Sequence, residues 1–336
     1  SAEPRKSLDI MEDLVSYGRR TGEAPTDEVV NQIFKRRYSI NLSFSIDPDK
    51  VYANVERRVK GQPHALYVIK RLLRSMVFQL DATTNKPIAT ALFTGPTGVG
   101  KTETTKAIAE ALYPNENVLL NINMPDYKLP EHEAGFRKRL GEFVRHTPNA
   151  IVLLDELEKS HETILDALLS ILDEGLVTFE TVNREGAAEV NTVSLRNTIV
   201  IATTNAGHEI FANDAKFSGR EARGGADVLD DAAAAEIDQL MNTLTKNLQA
   251  YGFKPELLGR FRRLVPYRSL SSGTLLNIAE LSLQKLFDKF ELQRGITVEM
   301  EEPHAWDPET YDFTTTDVAL YITFIKANAT DPNSGG

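Results

Sequence analysis

The sequence predicts an α/β protein with a five-stranded parallel sheet flanked by helices, a helical extension in front and a small, incomplete helical domain behind. Three observations point there. Five short apolar runs, at 90–94, 118–122, 150–154, 198–203 and 263–267, alternate with helically spaced segments, the order that makes parallel strands joined by crossover helices. The first run opens onto a glycine-rich turn and then an amphipathic stretch. After Pro266, Leu275, Ile278, Leu281, Leu286 and Phe290 recur at helical intervals, so a second helical part begins there.

Taken in order, residues 1–49 read as an N-terminal extension. Ile10 and Leu14, then Val29, Val30, Ile33 and Phe34, give helical spacing around the turn GEAPTDE. Tyr38, Ile40, Leu42, Phe44 and Ile46 alternate with Ser39, Asn41, Ser43 and Ser45, which predicts a half-buried strand. Residues 50–267 form the large α/β domain and 268–336 the incomplete helical one. Between the fourth and fifth runs, NDAKFSGREARGGADVLDDAAAAE reads as an exposed loop running into a helix. The opening Ser1-Ala2, without methionine, reads as a cloning scar and the closing DPNSGG as a cut end.

Composition narrows the function classes. A chain of 336 residues, 41% hydrophobic, holds a substantial core. Its net charge of -10 argues against broad contact with nucleic acid, which needs a basic face. With no cysteine, disulfides and thiolate chemistry are excluded. No apolar run reaches membrane length, and a cytoplasmic, soluble protein is expected. The six histidines are scattered, and EHE at 131–133 lacks the spacing of a metal site.

The chemistry lies at the strand ends. ALFTGPTGVGKTETTKAIAEAL is strand, phosphate loop, helix: Gly95, Pro96, Thr97, Gly98, Val99 and Gly100 let backbone N–H groups curl around phosphate oxygens, Lys101 reaches the β/γ-phosphates and Thr102 ligates magnesium. NAIVLLDELEK ends an apolar strand on Asp155, suited to the magnesium shell, and Glu156, suited to polarising water. NTIVIATTNAG brings Asn205 to a third strand end, where a neutral amide can orient the attacking water. FKPELLGRFRRLVPY offers Arg260, with Arg262 and Arg263 as competitors, as a finger reaching a neighbouring subunit's γ-phosphate.

In this order and wording, these elements resemble the AAA+ ATPases of the Clp/heat-shock-100 class over roughly residues 52–295; VERRVKGQPHAL, LLDELEKSH, ILDEGLVT and FKPELLGRF match that class's phrasing. The resemblance implies ATP and Mg2+ as cofactors, a homo-hexameric ring hydrolysing ATP between subunits, and a protein client. It also implies Val59 and Lys60 beside the adenine, Glu103 and Ile278 in the nucleotide set, Asn205 as first sensor and Arg260 as finger.

Three features depart from the class. Its second-sensor arginine would fall past NSGG; no Ile-Gly-Phe or Ile-Gly-Leu tripeptide for docking a Clp-type peptidase follows Asn205; and the Gly-Tyr-Val-Gly pore loop is replaced by the shorter NMPDYKLPEHEAGFRKRLGEF. In that connection, Phe136 is expected as core of the helix before the acidic strand, the alternative being a shortened grip on an acidic partner. The hairpin FETVNREGAAEVNTVS, longer than usual, is the better candidate for partner contact. The alternatives to general remodelling are a dedicated assembly or disassembly ATPase, a nucleotide-gated scaffold and a DNA-processing relative.

Overall fold

The five apolar runs form one parallel sheet, and the segments between them form the helices that cover it. The computed structural model describes residues 3–26, 29–30, 32–33, 47–77, 85–114, 117–182, 186–207, 231–271, 273–275, 278–279, 282–283, 287, 297–300 and 325–328. The expected strand Tyr38–Ile46 and most of the loop after Asn213 lie outside these residues. The chain divides into two compact units, Ser1–Leu270 and Ser271–Gly336.

In the first unit, the chain runs α1 (Glu3–Thr21), α2 (Pro48–Arg58), α3 (Pro63–Val77), β1 (Ala89–Thr94), α4 (Lys101–Leu112), β2 (Leu119–Asn123), α5 (Glu133–His146), β3 (Ile151–Asp155) and α6 (Glu162–Glu174). It continues with β4 (Leu176–Val182), β5 (Ala188–Ser194), β6 (Ile199–Thr204), α7 (Asp231–Tyr251), α8 (Pro255–Arg260) and β7 (Arg263–Pro266). Strand order is β2-β3-β6-β1-β7, with every pairing parallel. β1 and β6 are buried along their whole length and β3 along all but its last residue, which explains their unbroken apolar character.

Alternate residues of the strands feed two cores. Phe93, Ile151, Leu153 and Ile201 pack with α2, α3 and α4 on one face. Leu92, Val152, Leu154 and Val200 pack with α5, α6, α7 and α8 on the other. The result is a helix–sheet–helix sandwich.

Local signals set the ends. Asp47 caps α2 by accepting from Asp49 N (3.2 Å) and Lys50 N (3.1 Å), ahead of Pro48. α6 stops at Gly175, whose φ of 71° is left-handed. A Cβ at Gly175 would also collide with the Asn85 backbone. β4 and β5 form the expected hairpin, with Val182 and Val190 exposed on its outer face and Phe179 buried against Gly141 of α5.

In the second unit, Leu275 and Ile278 lie in helical turns, and Ser282 Oγ donates to the Ile278 carbonyl at 2.8 Å. A helical part alone does not describe this unit, for β8 (Thr297–Met300) and β9 (Ile325–Asn328) pair antiparallel within it. The β-branched residues of TVEM suit that pairing.

Candidate nucleotide site

β1 delivers the chain to the phosphate loop at the C-terminal edge of the sheet. Gly95, Gly98 and Gly100 have φ of 148°, 80° and 102°. Gly95 is required sterically: a Cβ there would collide with the Tyr267 carbonyl oxygen. Gly100 starts α4 in the left-handed region without a side-chain cap, and the first helical bond runs from Thr104 N to Gly100 O (2.9 Å). The N–H groups of Lys101, Thr102 and Glu103 therefore have no partner within the helix, at its positive end. That is the donor set a phosphate takes.

Lys101 lies at the centre of this cradle. Its amine donates to the carbonyls of Gly95 (2.5 Å) and Pro96 (2.7 Å) and to Asn205 Oδ1 (2.8 Å), and the residue is only 8% exposed. Burial lowers its pKa to about 8, against the opposing pull of Glu158, Asp155 and Glu156. Asn205 thus joins the loop to the acids: its Oδ1 also accepts from Thr97 Oγ1 (3.3 Å), and its Nδ2 donates to Glu156 Oε1 (3.4 Å).

The acidic pair is held unusually. Glu156 adopts φ 59° and ψ 54°, the sole non-glycine with positive φ among the described residues. Such a conformation costs of order 1–3 kcal/mol and persists only where its surroundings fix it. Glu156 N donates to Thr203 Oγ1 (3.0 Å), and that hydroxyl donates to Asp155 Oδ1 (2.5 Å). The Glu156 carboxylate meets Lys159 Nζ at 2.8 Å. Asn205 N donates to Glu158 Oε1 (3.1 Å), while Glu158 Oε2 is buried with no hydrogen-bond partner among the described residues.

The other candidates are placed as follows. Val59 is buried, with Cγ1 3.7 Å from where a Gly100 Cβ would stand. The Lys60 amine donates to Glu56 O (3.1 Å), closing α2. Glu103 accepts from Arg58 Nε (2.8 Å) and Nη2 (2.6 Å), so its carboxylate braces α2 while its N–H stays at the start of α4. Ile278 belongs to the second unit and remains an expectation. Arg260 pairs with Asp173 (3.0 Å) at the C-terminal end of α6, and its Nε is buried with no partner among the described residues.

Sequence reasoning passed over three residues. Thr203 holds Asp155 and the Glu156 N–H, and Glu158 accepts from Asn205 N; both lie within NTIVIATTNAG and NAIVLLDELEK, where nothing singles them out. Gln62, 1% exposed, donates to Val99 O (3.4 Å) and Arg268 O (2.8 Å) and accepts from Arg268 N (3.0 Å), tying the loop to the segment after β7. No spacing marks it; only the fold brings positions 62, 99 and 268 together.

The residues fit a magnesium nucleotide. Glycines at positive φ, the N–H groups of the first helical turn and a buried lysine suit the phosphates, and the Thr102 hydroxyl and Asp155 carboxylate suit the ion. Among the described residues, no group of three or more histidines and carboxylates could hold a metal, and an ion held by Thr102 and Asp155 would take its other ligands from phosphate and water. Magnesium, when bound, neutralises phosphate charge.

A parallel sheet with a phosphate loop after its first strand and an acidic pair at the end of a neighbouring strand defines a P-loop nucleoside triphosphatase. A family model described as an AAA domain (Cdc48 subfamily) matches residues 86–264. Three relatives place it further. The "ATP-dependent Clp protease ATP-binding subunit ClpA homolog" of Guillardia theta is 31% identical over 72% of this chain and 29% of its own. "Chaperone protein ClpD, chloroplastic" of Arabidopsis thaliana is 35% identical over 73% of this chain and 26% of its own. "Chaperone protein ClpB" of Gloeobacter violaceus is 28% identical over 90% of this chain and 34% of its own. The chain belongs to the AAA family and is a Clp-type ATPase module. It spans about a quarter to a third of the length of these relatives.

Proposed function

We propose that this protein is a magnesium-dependent ATPase that works as a homo-hexameric ring and uses the cycle to remodel, unfold or disassemble a protein partner. The observation that carries this reading is the chain of contacts from Lys101 through Asn205 to Glu156, which joins the phosphate loop to the acid. Lys101 binds the β/γ-phosphates, Thr102 and Asp155 hold the ion, Glu156 takes the proton of the attacking water, and Asn205 orients that water.

Arg260 acts on the neighbour's nucleotide. Its partner Asp173 is eleven residues along α6 from Glu162, a rise of roughly 16 Å, so the guanidinium lies far from the acidic turn of its own chain. A role in trans accounts for that separation.

A narrower reading, a dedicated assembly or disassembly ATPase without general threading, is favoured by one observation. Of the three phenylalanine and tyrosine rings between β2 and β3, Phe143 is half-buried and the other two are buried: Phe136 is 0% exposed and Tyr127 8%, and these two pack edge to face at 5.6 Å. Phe136 is core, so the grip reading loses its aromatic. A nucleotide-gated scaffold has no such support. A cytoplasmic setting accords with a described structure in which no helix is long and apolar enough to cross a membrane.

The test is Glu156→Gln. It should keep ATP, stop phosphate release, and retain a protein partner in pull-downs with ATP that Lys101→Ala does not retain. Undiminished phosphate release would remove Glu156 from the mechanism.

A further inference from the structure

Most arginines of the described structure that meet a charged group meet a carboxylate, as Arg58, Arg74, Arg137 and Arg260 do. Three others, with no carboxylate partner among the described residues, gather around one hollow. Arg71 of α3, Arg262 and Arg263 line a cleft of about 430 Å³, together with Val68, Met241 and Phe261. Among the described residues, Arg262 Nη1 donates to the Ile88 carbonyl (3.4 Å) and Arg263 Nη1 to that of Arg262 (3.0 Å), and the Arg71 guanidinium lies 5.8 Å from the Tyr67 ring centre. Among the described residues, no carboxylate lines the cleft. Burial, and then the charge of Arg263, lower the Arg262 pKa.

The cleft is separate from the nucleotide site. The phosphate loop leaves β1 after Thr94, which lies beside Pro266, whereas Arg263 lies beside Ala91 at the opposite end of β7. In a chain of net charge -10, a hollow whose described lining carries three arginines and no carboxylate is a local reversal of sign. An acidic molecule repelled by the rest of the surface would be drawn there. Its walls are apolar in part, at Val68, Met241 and Phe261, and a free phosphate would leave that part uncovered.

We infer that this cleft docks an acidic segment of a protein partner, seating an apolar side chain against Val68, Met241 and Phe261 and setting carboxylates on Arg71, Arg262 and Arg263. An arginine fork takes a carboxylate in two parallel bonds, so the guanidiniums fix direction while the apolar anchor is desolvated. Partner recognition is thereby placed outside the ATPase centre.

The experiment is a fluorescence-anisotropy titration with a labelled peptide, Glu-Asp-Leu-Phe-Asp-Glu, blocked at both ends. Saturable binding is expected that weakens with salt, weakens roughly tenfold or more in Arg71→Gln and in Arg262→Gln, and persists in Lys101→Ala. The last arm separates this inference from the nucleotide reading. Thermal melts establish that the variants fold, and Arg71→Gln, on an exposed helix face, carries the test alone if Arg262→Gln does not. Equal affinity for the Gln-Asn-Leu-Phe-Asn-Gln peptide, or no loss in a folded variant, would overturn the inference. So would displacement of the peptide by equimolar inorganic phosphate, which would make the cleft an anion site alone. Self-association of the chain abolished by Arg71→Gln would put a second copy in the cleft, and the assignment to another protein would fall.

Discussion

The Thr203 hydroxyl donates to the Asp155 carboxylate at 2.5 Å, from the neighbouring strand of the sheet. Because the same oxygen accepts the Glu156 N–H, one β6 side chain orients the candidate magnesium ligand and fixes the left-handed turn of the candidate base. Thr203→Val should therefore cost turnover on the order of tenfold to a hundredfold and raise the magnesium concentration needed for half-maximal rate, with ATP affinity little changed. Thr203→Ser, which keeps the hydroxyl, should restore most of the rate. Steady-state kinetics over a magnesium series decides: equal profiles for valine and wild type would remove Thr203 from the site.

Arg260→Ala should leave nucleotide binding by the isolated chain intact and reduce turnover of the assembled protein by roughly 10³–10⁵, the range for an arginine acting in trans. Mixing it with Glu156→Gln should recover partial activity, since some interfaces then join an intact finger to an intact acid. Mixed rings shown to assemble yet fully inactive would contradict the role.

Phe136→Ala tests the reading of the short connection. A fully buried ring replaced by alanine should lower stability by about 3–5 kcal/mol. Denaturant unfolding measures it. An unchanged midpoint would mean that the ring is not core, and the grip reading would return.

Acid should weaken the fold through His64. Burial, then the Arg268 charge, lower its pKa to about 4, below the ordinary value of 6.5. Between those limits the unfolded chain binds more protons, so stability falls as pH drops from 6.5 to about 4 and is unaffected by this group above. Melting temperature followed across that window should fall less steeply in His64→Gln than in wild type. Parallel curves would show that His64 is protonated without cost.

How much of this was legible depended on whether the signal was local. The phosphate loop and the strands were, because apolar runs and glycines act on their own neighbours: all five strands formed within a residue or two of where the pattern put them. Thr203 was not, since the dipeptide Thr203-Thr204 offers two equal hydroxyls. The parallel register Leu154↔Ala202 brings Thr203 beside Asp155, while Thr204 Oγ1 turns to Ala206 N (3.1 Å). Glu158 read as one more charge in DELEK until Asn205 N was found on it. The arginine cleft draws on positions 71, 241 and 262, and nothing in sequence joins them.

The central claim is that Lys101 and Glu156 divide binding from hydrolysis. Isothermal titration with ATP and magnesium, paired with phosphate release on the same samples, tests it most directly. The account predicts binding by wild type and by Glu156→Gln, no measurable binding by Lys101→Ala, and no phosphate release from either variant. Equal ATP affinity in wild type and Lys101→Ala would contradict it.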